Sequence, residues 1–189
     1  MLTHIRTLTN PAHRRVEAAL AFLTEPISLG RYQTVLQRFY GFWLGWESQV
    51  TNLLQDEALM KPRRRLHMLA TDLAALGVSN DALKALPRSP LITLRDGVEA
   101  LGSLYVMEGS TLGGRVIRQN LMRCLGADAL SVCTYFNGYG GDTGSMWRSF
   151  VARLEEELVC DAERIGVGAS RTFDRLGWWI SGMEGLGPS

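Results

Sequence analysis

The stretch LYVMEGSTLGGRVIRQN, residues 104–120, decides how the rest of the chain is read. Its apolar residues are spaced as in a helix, yet Gly109, Gly113 and Gly114 stand in its middle. A glycine inside a helix costs about 1 kcal/mol relative to alanine, so three of them cost roughly 2–3 kcal/mol. Glycine has no side chain, which lets a helix bend and lets another object touch its backbone. Gly109 and Gly113 are four residues apart and share one face, where they leave a bare groove. Two occupants fit such a groove: a second helix packed through small residues, or a flat apolar ligand lying on the main chain. The Gly113-Gly114 doublet predicts a kink. A phosphate-binding loop does not fit, because no strand precedes the stretch and the glycine spacing is wrong for it.

Outward from this stretch the helical period continues, and the alternation that marks strands is nearly absent. Asn10-Pro11 reads as an N-cap followed by a first-turn proline, opening a helix with Val16, Leu20 and Leu23 on one face. Ser28 caps a long helix over 29–54 whose apolar stripe includes Val35, Leu36, Phe39, Tyr40, Trp43 and Val50. Further helices are predicted over 63–76, 79–86, 91–125, 145–165 and 170–180, with the Gly- and aromatic-rich CTYFNGYGGDTG between the last long ones. The fold class is therefore all-α, and residues 1–189 read as one multi-helical domain.

The bulk properties narrow the function classes. The chain has 189 residues and a net charge of +1, so electrostatics gives no reason to expect nucleic acid or a membrane surface. No apolar run approaches the roughly 20 residues of a membrane span. Three scattered cysteines and a start without a secretory apolar region predict a reducing, cytoplasmic setting.

The first helix carries the other informative pattern, AHRRVE. His13 and Glu17 are four apart and lie one turn from each other. Such a pair serves either as a solvated ion pair or as a metal-ligating imidazole whose Nδ1 proton is held by the carboxylate. The other histidines are His4, near the chain start, and His67, in RRRLHML. With no HExxH and no Cys/His cluster, a zinc enzyme is not indicated. A single histidine suits a metal that brings its own equatorial ligands, and haem is the obvious one.

Together these motifs resemble the biliverdin-producing haem oxygenases, in the bacterial, bacteriophytochrome-associated branch. LYVMEGSTLGGRVI resembles the distal-helix motif, TYFNGYGGDTGSMWRSF the segment after it, AHRRVE the proximal histidine with its glutamate, and RTFDRLGWWI the last helix. The resemblance implies a haem oxygenase-like domain binding haem as both cofactor and substrate between the first helix and the glycine-containing helix. His13 is then the iron ligand and Glu17 orients it. Gly109, Gly113 and Gly114 let the distal backbone approach the haem, with Gly109, Gly113 and Ser110 as the catalytic positions. Arg6 and Arg148 fall where propionate anchors stand, and Tyr135 and Phe136 shape the pocket. Ser110 occupies the place where the animal enzymes carry an acidic residue, so proton delivery leans on water and backbone carbonyls, with Ser110 or Arg115 near. The implied reaction consumes O2 and electrons from a ferredoxin or flavoprotein reductase and yields biliverdin, carbon monoxide and ferrous iron. A bacteriophytochrome is the implied receiver of biliverdin. The competing expectation is a haem carrier of the same fold that does not degrade its ligand.

Overall fold

The computed structural model describes residues 2–126 and 129–182. Among these the chain is predominantly helical and holds no strand, as the periodicity predicts. The elements in order are α1 (Leu2–Leu20), a 3-10 turn at Ala21–Thr24, α2 (Leu29–Leu54), α3 (Glu57–Met60), a 3-10 turn at Lys61–Arg63, and α4 (Leu66–Ala75). Then follow α5 (Asn80–Ala85), α6 (Gly97–Leu125), α7 (Ala129–Val132), a 3-10 turn at Gly140–Asp142, and α8 (Thr143–Ser181). No described helix is long and apolar enough to cross a membrane.

Three boundaries differ from the sequence reading, each for a tertiary reason. The first helix begins at Leu2, so Asn10 is not its cap and Pro11 lies inside it. An interior proline removes one backbone donor and costs about 3 kcal/mol. The upstream turns survive because Ile5 and Thr9 are buried with Ala12 and Val16 on one strip, packed on α8. The glycine-containing helix starts at Gly97 instead of Leu91, because the Asp96 carboxylate caps the amides of Val98 and Glu99. The residues before it are held extended by Gln49, which exchanges two hydrogen bonds with Ile92. The last two predicted helices form one element, broken at Asp161 (φ −129°, ψ 27°) rather than at 166–169.

Two glycines that the sequence reading passed over set the main helix crossing. A Cβ on Gly102 would run into the carbonyl oxygen of Ile165, and one on Gly168 into that of Glu99. Here α6 and the second arm of α8 touch backbone to backbone, and Thr172 donates to Ser103 across the crossing at 2.6 Å. The Asp161 break folds α8 back on α6. Its first arm lays Trp147 against Tyr105, and its second arm crosses at Gly102. Both α1 and α6 pack on α8 but hardly on each other, and this leaves the space in which the site lies.

Candidate active site

The two faces of α6 have opposite surroundings. On one face stand Glu108, Thr111 and Gly114, all buried. The loop after α7 covers them: a Cβ on Gly114 would stand 2.7 Å from the Phe136 carbonyl oxygen, and Gly138 lies over Thr111. On the other face stand Gly109, Leu112, Gly113 and Val116, at the spacing of one helix face. Leu112 is 46% exposed and Val116 55%. A Cβ on Gly113 would meet nothing within 4 Å, and one on Gly109 only the Trp147 ring at 3.8 Å. The groove read from the sequence is therefore real at Gly109 and Gly113, whereas Gly114 serves packing against Phe136. The helix runs unbroken from Gly97 to Leu125, so the expected kink at the doublet does not interrupt it. Both Ser110 and Thr111 bond back three residues, to the carbonyls of Met107 and Glu108 at 2.7 Å each.

On α1, Arg6, His13 and Glu17 share a strip beside the buried one. His13 is half-exposed, and its Nδ1 lies 3.3 Å from Glu17 Oε2. That tie leaves Nε2 as the nitrogen available to an external ligand. Phe173 of α8 meets the imidazole edge-on, with centroids 5.3 Å apart. Its neighbour Thr172 is bonded to Ser103 of α6. Successive residues of α8 thus touch α1 and α6, which makes α8 the floor between them.

Asn120 settles which face of α6 looks toward α1. It continues the line Gly109, Gly113, Val116 by one more turn. From that line its Nδ2 donates to the carbonyls of Leu23 and Glu25, just beyond α1, at 2.8 and 2.6 Å. The glycine face of α6 is thus tied at its Asn120 end to the segment that follows the histidine helix, and the candidate cleft is the space between that face and α1. A bare backbone with apolar flanks is a surface on which a flat apolar ring can lie, and the single imidazole across the cleft suits an iron that already has four equatorial ligands. Among the described residues no cluster of His, Cys, Asp or Glu could hold a bare metal ion.

Comparison with known proteins agrees. The family described as "Heme oxygenase" matches residues 1–180. The chain belongs to the haem oxygenase family. A relative named "Heme oxygenase" from Xanthomonas campestris pv. campestris (strain 8004) is 32% identical over 140 residues, covering 73% of this chain and 80% of the relative. The family's enzymes degrade haem, which is both their substrate and their prosthetic group.

In this haem oxygenase the remaining sequence-derived candidates fall in different places. Arg6, Ser110, Arg115 and Arg148 are exposed, and Arg148 follows Trp147 on the first arm of α8. Tyr135 is not brought to the cleft. It is buried against α2, where Trp43 Nε1 donates to its hydroxyl at 2.7 Å. Its amide donates to Asp72 and its carbonyl accepts from Arg65. Phe136 packs there too, against Phe39 and Tyr32. The aromatic loop thus shapes the site from behind α6 and not as a pocket wall. His67 is exposed, and the side chain of His4 lies outside the described residues.

Three residues escaped the sequence reading. Trp147 closes the Gly109 end of the open face, and Asn120 closes the other end. Glu108, one residue before Gly109, accepts from the Tyr139 hydroxyl at 2.5 Å and pairs with Arg63 Nε at 3.3 Å. Burial pushes its carboxyl above the usual range, although Tyr139, Arg63 and Arg65 pull the other way. The only available signal was a charged residue at the head of a glycine run.

Proposed function

We propose that this protein, as one domain over residues 1–189, cleaves haem oxidatively to biliverdin, carbon monoxide and ferrous iron in the cleft between α1 and α6. What supports this reading is the open face at Gly109 and Gly113, on the side of α6 that Asn120 ties to the segment after the helix holding half-exposed His13. Haem bound there supplies the iron that activates O2 and the ring that is cleaved.

The chain's residues divide the work. His13 would offer Nε2 to the iron, while Glu17 holds the Nδ1 proton and so fixes the orientation of the ring. A neutral imidazole gives the iron far less electronic push than a cysteine thiolate would. Phe173 limits how far the imidazole can swing. On the other side Gly109 and Gly113 would present bare main chain to the bound ring, where any larger side chain would stand in the way. Leu112 and Val116, exposed on the same face, would offer apolar surface to the ring. The Ser110 hydroxyl proton is engaged by the Met107 carbonyl, so its lone pairs can accept from an ordered water that carries protons into the cleft. Arg6 and Arg148, both exposed and basic, are the residues we assign to the two propionates.

Electrons come from a ferredoxin or a flavoprotein reductase at the exposed haem edge, in a cytoplasmic setting, and biliverdin passes to a bacteriophytochrome. The test is an absorbance time course of the haemin complex with a ferredoxin system in air. Loss of the Soret band with growth of a biliverdin band is expected. An unchanged Soret band in a fully reduced, aerated sample would make the protein a haem carrier instead.

A further inference from the structure

Glu108 is buried in the back of α6, and the chemistry just described makes no use of it. Its two partners come from separate parts of the chain: Tyr139 from the loop after α7, and Arg63 from the turn after α3. Arg63 is fixed in turn, donating to the Leu59 carbonyl at 2.8 Å and the Met146 carbonyl at 3.4 Å. Arg65 stands over the Tyr139 ring at 5.7 Å and donates to the Tyr135 carbonyl. All three charged side chains are at least 96% buried.

An apolar residue at 108 would pack the helix to the loop without the cost of desolvating a charge, so stability alone is a poor reason for this arrangement. Nor is the set saturated. Arg65 Nε and Arg65 Nη1 are buried without a hydrogen-bonded protein partner, and Arg63 Nε and Glu108 Oε2 meet only each other, as an ion pair. What a directional contact adds over an apolar one is a fixed angle. Glu108 lies about 100° around the helix from Gly109 and about 140° from Gly113. A roll of α6 by about 20° would move its Cα atoms by about 0.8 Å at their radius of about 2.3 Å. A gap of 0.5–1 Å already forfeits about a quarter to a half of a dispersion contact, so such a roll matters where bare backbone meets a flat ligand.

We propose that Glu108 is a positioning residue: held by Tyr139 and Arg63, it fixes the roll of α6 and so the distance at which the Gly109 and Gly113 backbone faces a ligand in the cleft. This rests on the reading of that cleft as the haem site. It adds an anchor on the far side of the helix from the reacting groups.

The test compares wild type with Tyr139→Phe and Glu108→Gln, using Asp81→Asn as an exposed control. Hydrogen exchange on the ligand-free protein should rise about tenfold at residues 109–114 in both variants, while residues 35–50 of α2 keep their protection. Haemin affinity should fall about three- to tenfold, and the Soret maximum of the remaining complex should move. Exchange that rises equally in α2 and α6, with the Soret maximum in place, would mark a general structural tie and overturn the proposal. Unchanged exchange and affinity would overturn it as well. If Glu108→Gln does not fold, Tyr139→Phe alone decides, since it removes only a hydroxyl. Failure of wild-type protein to take up haemin would sink the cleft reading, and the exchange pattern would still uphold or overturn the hold of Glu108 on α6.

Discussion

Asn120 on α6 donates to the carbonyl of Leu23 at 2.8 Å, and this bond closes one end of the cleft. The same amide also serves the Glu25 carbonyl, while its oxygen accepts from Arg123. Asn120→Ala leaves two carbonyls without their donor, at a cost of about 1–3 kcal/mol in urea unfolding. Because the bond also ties the turn that follows α1 to α6, haemin affinity should fall in the folded variant. A variant that loses stability yet binds haemin as wild type does would show that the cleft needs no such closure.

The glycines divide into two kinds, and alanine tells them apart. At Gly113 a methyl meets open space, so Gly113→Ala should stabilise the ligand-free protein by about 0.5–1 kcal/mol. The same methyl projects into the cleft, so haemin affinity should drop by about tenfold, the effect of about 1.4 kcal/mol. At Gly102 and Gly168 the methyl meets backbone that cannot step aside, and alanine there should cost about 3 kcal/mol, the upper end of overpacking penalties. Thermal melts paired with Soret titrations measure both quantities. Equal destabilisation at Gly113 and Gly102 would mean that both glycines serve packing.

His13 is half-exposed and its pairing with Glu17 is a surface contact, so neither residue holds the fold. His13→Ala should change stability by less than about 1 kcal/mol while removing iron ligation and turnover. External imidazole should restore the Soret position in that variant. Normal turnover by His13→Ala in the absence of imidazole would remove this residue from the iron.

The helical period and the cap at Ser28 made the fold class and α2 legible in the sequence, because both depend on neighbours within one or two turns. The open glycines and the His13–Glu17 pair were legible for the same reason. What stayed hidden depends on contacts far apart in the chain. Pro11 looked like a helix start because nothing local shows that Ile5, well upstream of Asn10, is buried against α8. Tyr135 looked like a pocket residue because its segment resembles the family's, whereas its hydroxyl accepts from Trp43, ninety-two residues away. Glu108 and Asn120 were invisible as functional residues for the same reason: each acts through partners that only the folded chain brings near.

Asp72 offers a test of the same long-range packing through pH. It is fully buried in α4, and its two carboxylate oxygens accept from the amides of Thr134 and Tyr135 at 2.9 Å each. Burial raises its carboxyl above the ordinary value of 3.8, and the two amides only partly oppose this. The folded protein therefore binds this proton more tightly than the unfolded chain does. Stability from this group is greatest below about 3.8 and is lost as pH rises toward the raised value. Asp72→Asn removes that slope and sets an NH2 against one of the two amide donors, costing about 1–3 kcal/mol. Urea midpoints at several pH values should thus show wild type more stable than Asp72→Asn, with the gap narrowing as pH rises from about 4 to about 7. A gap that widens over this range would mean that the amides outweigh burial and hold Asp72 below its ordinary value.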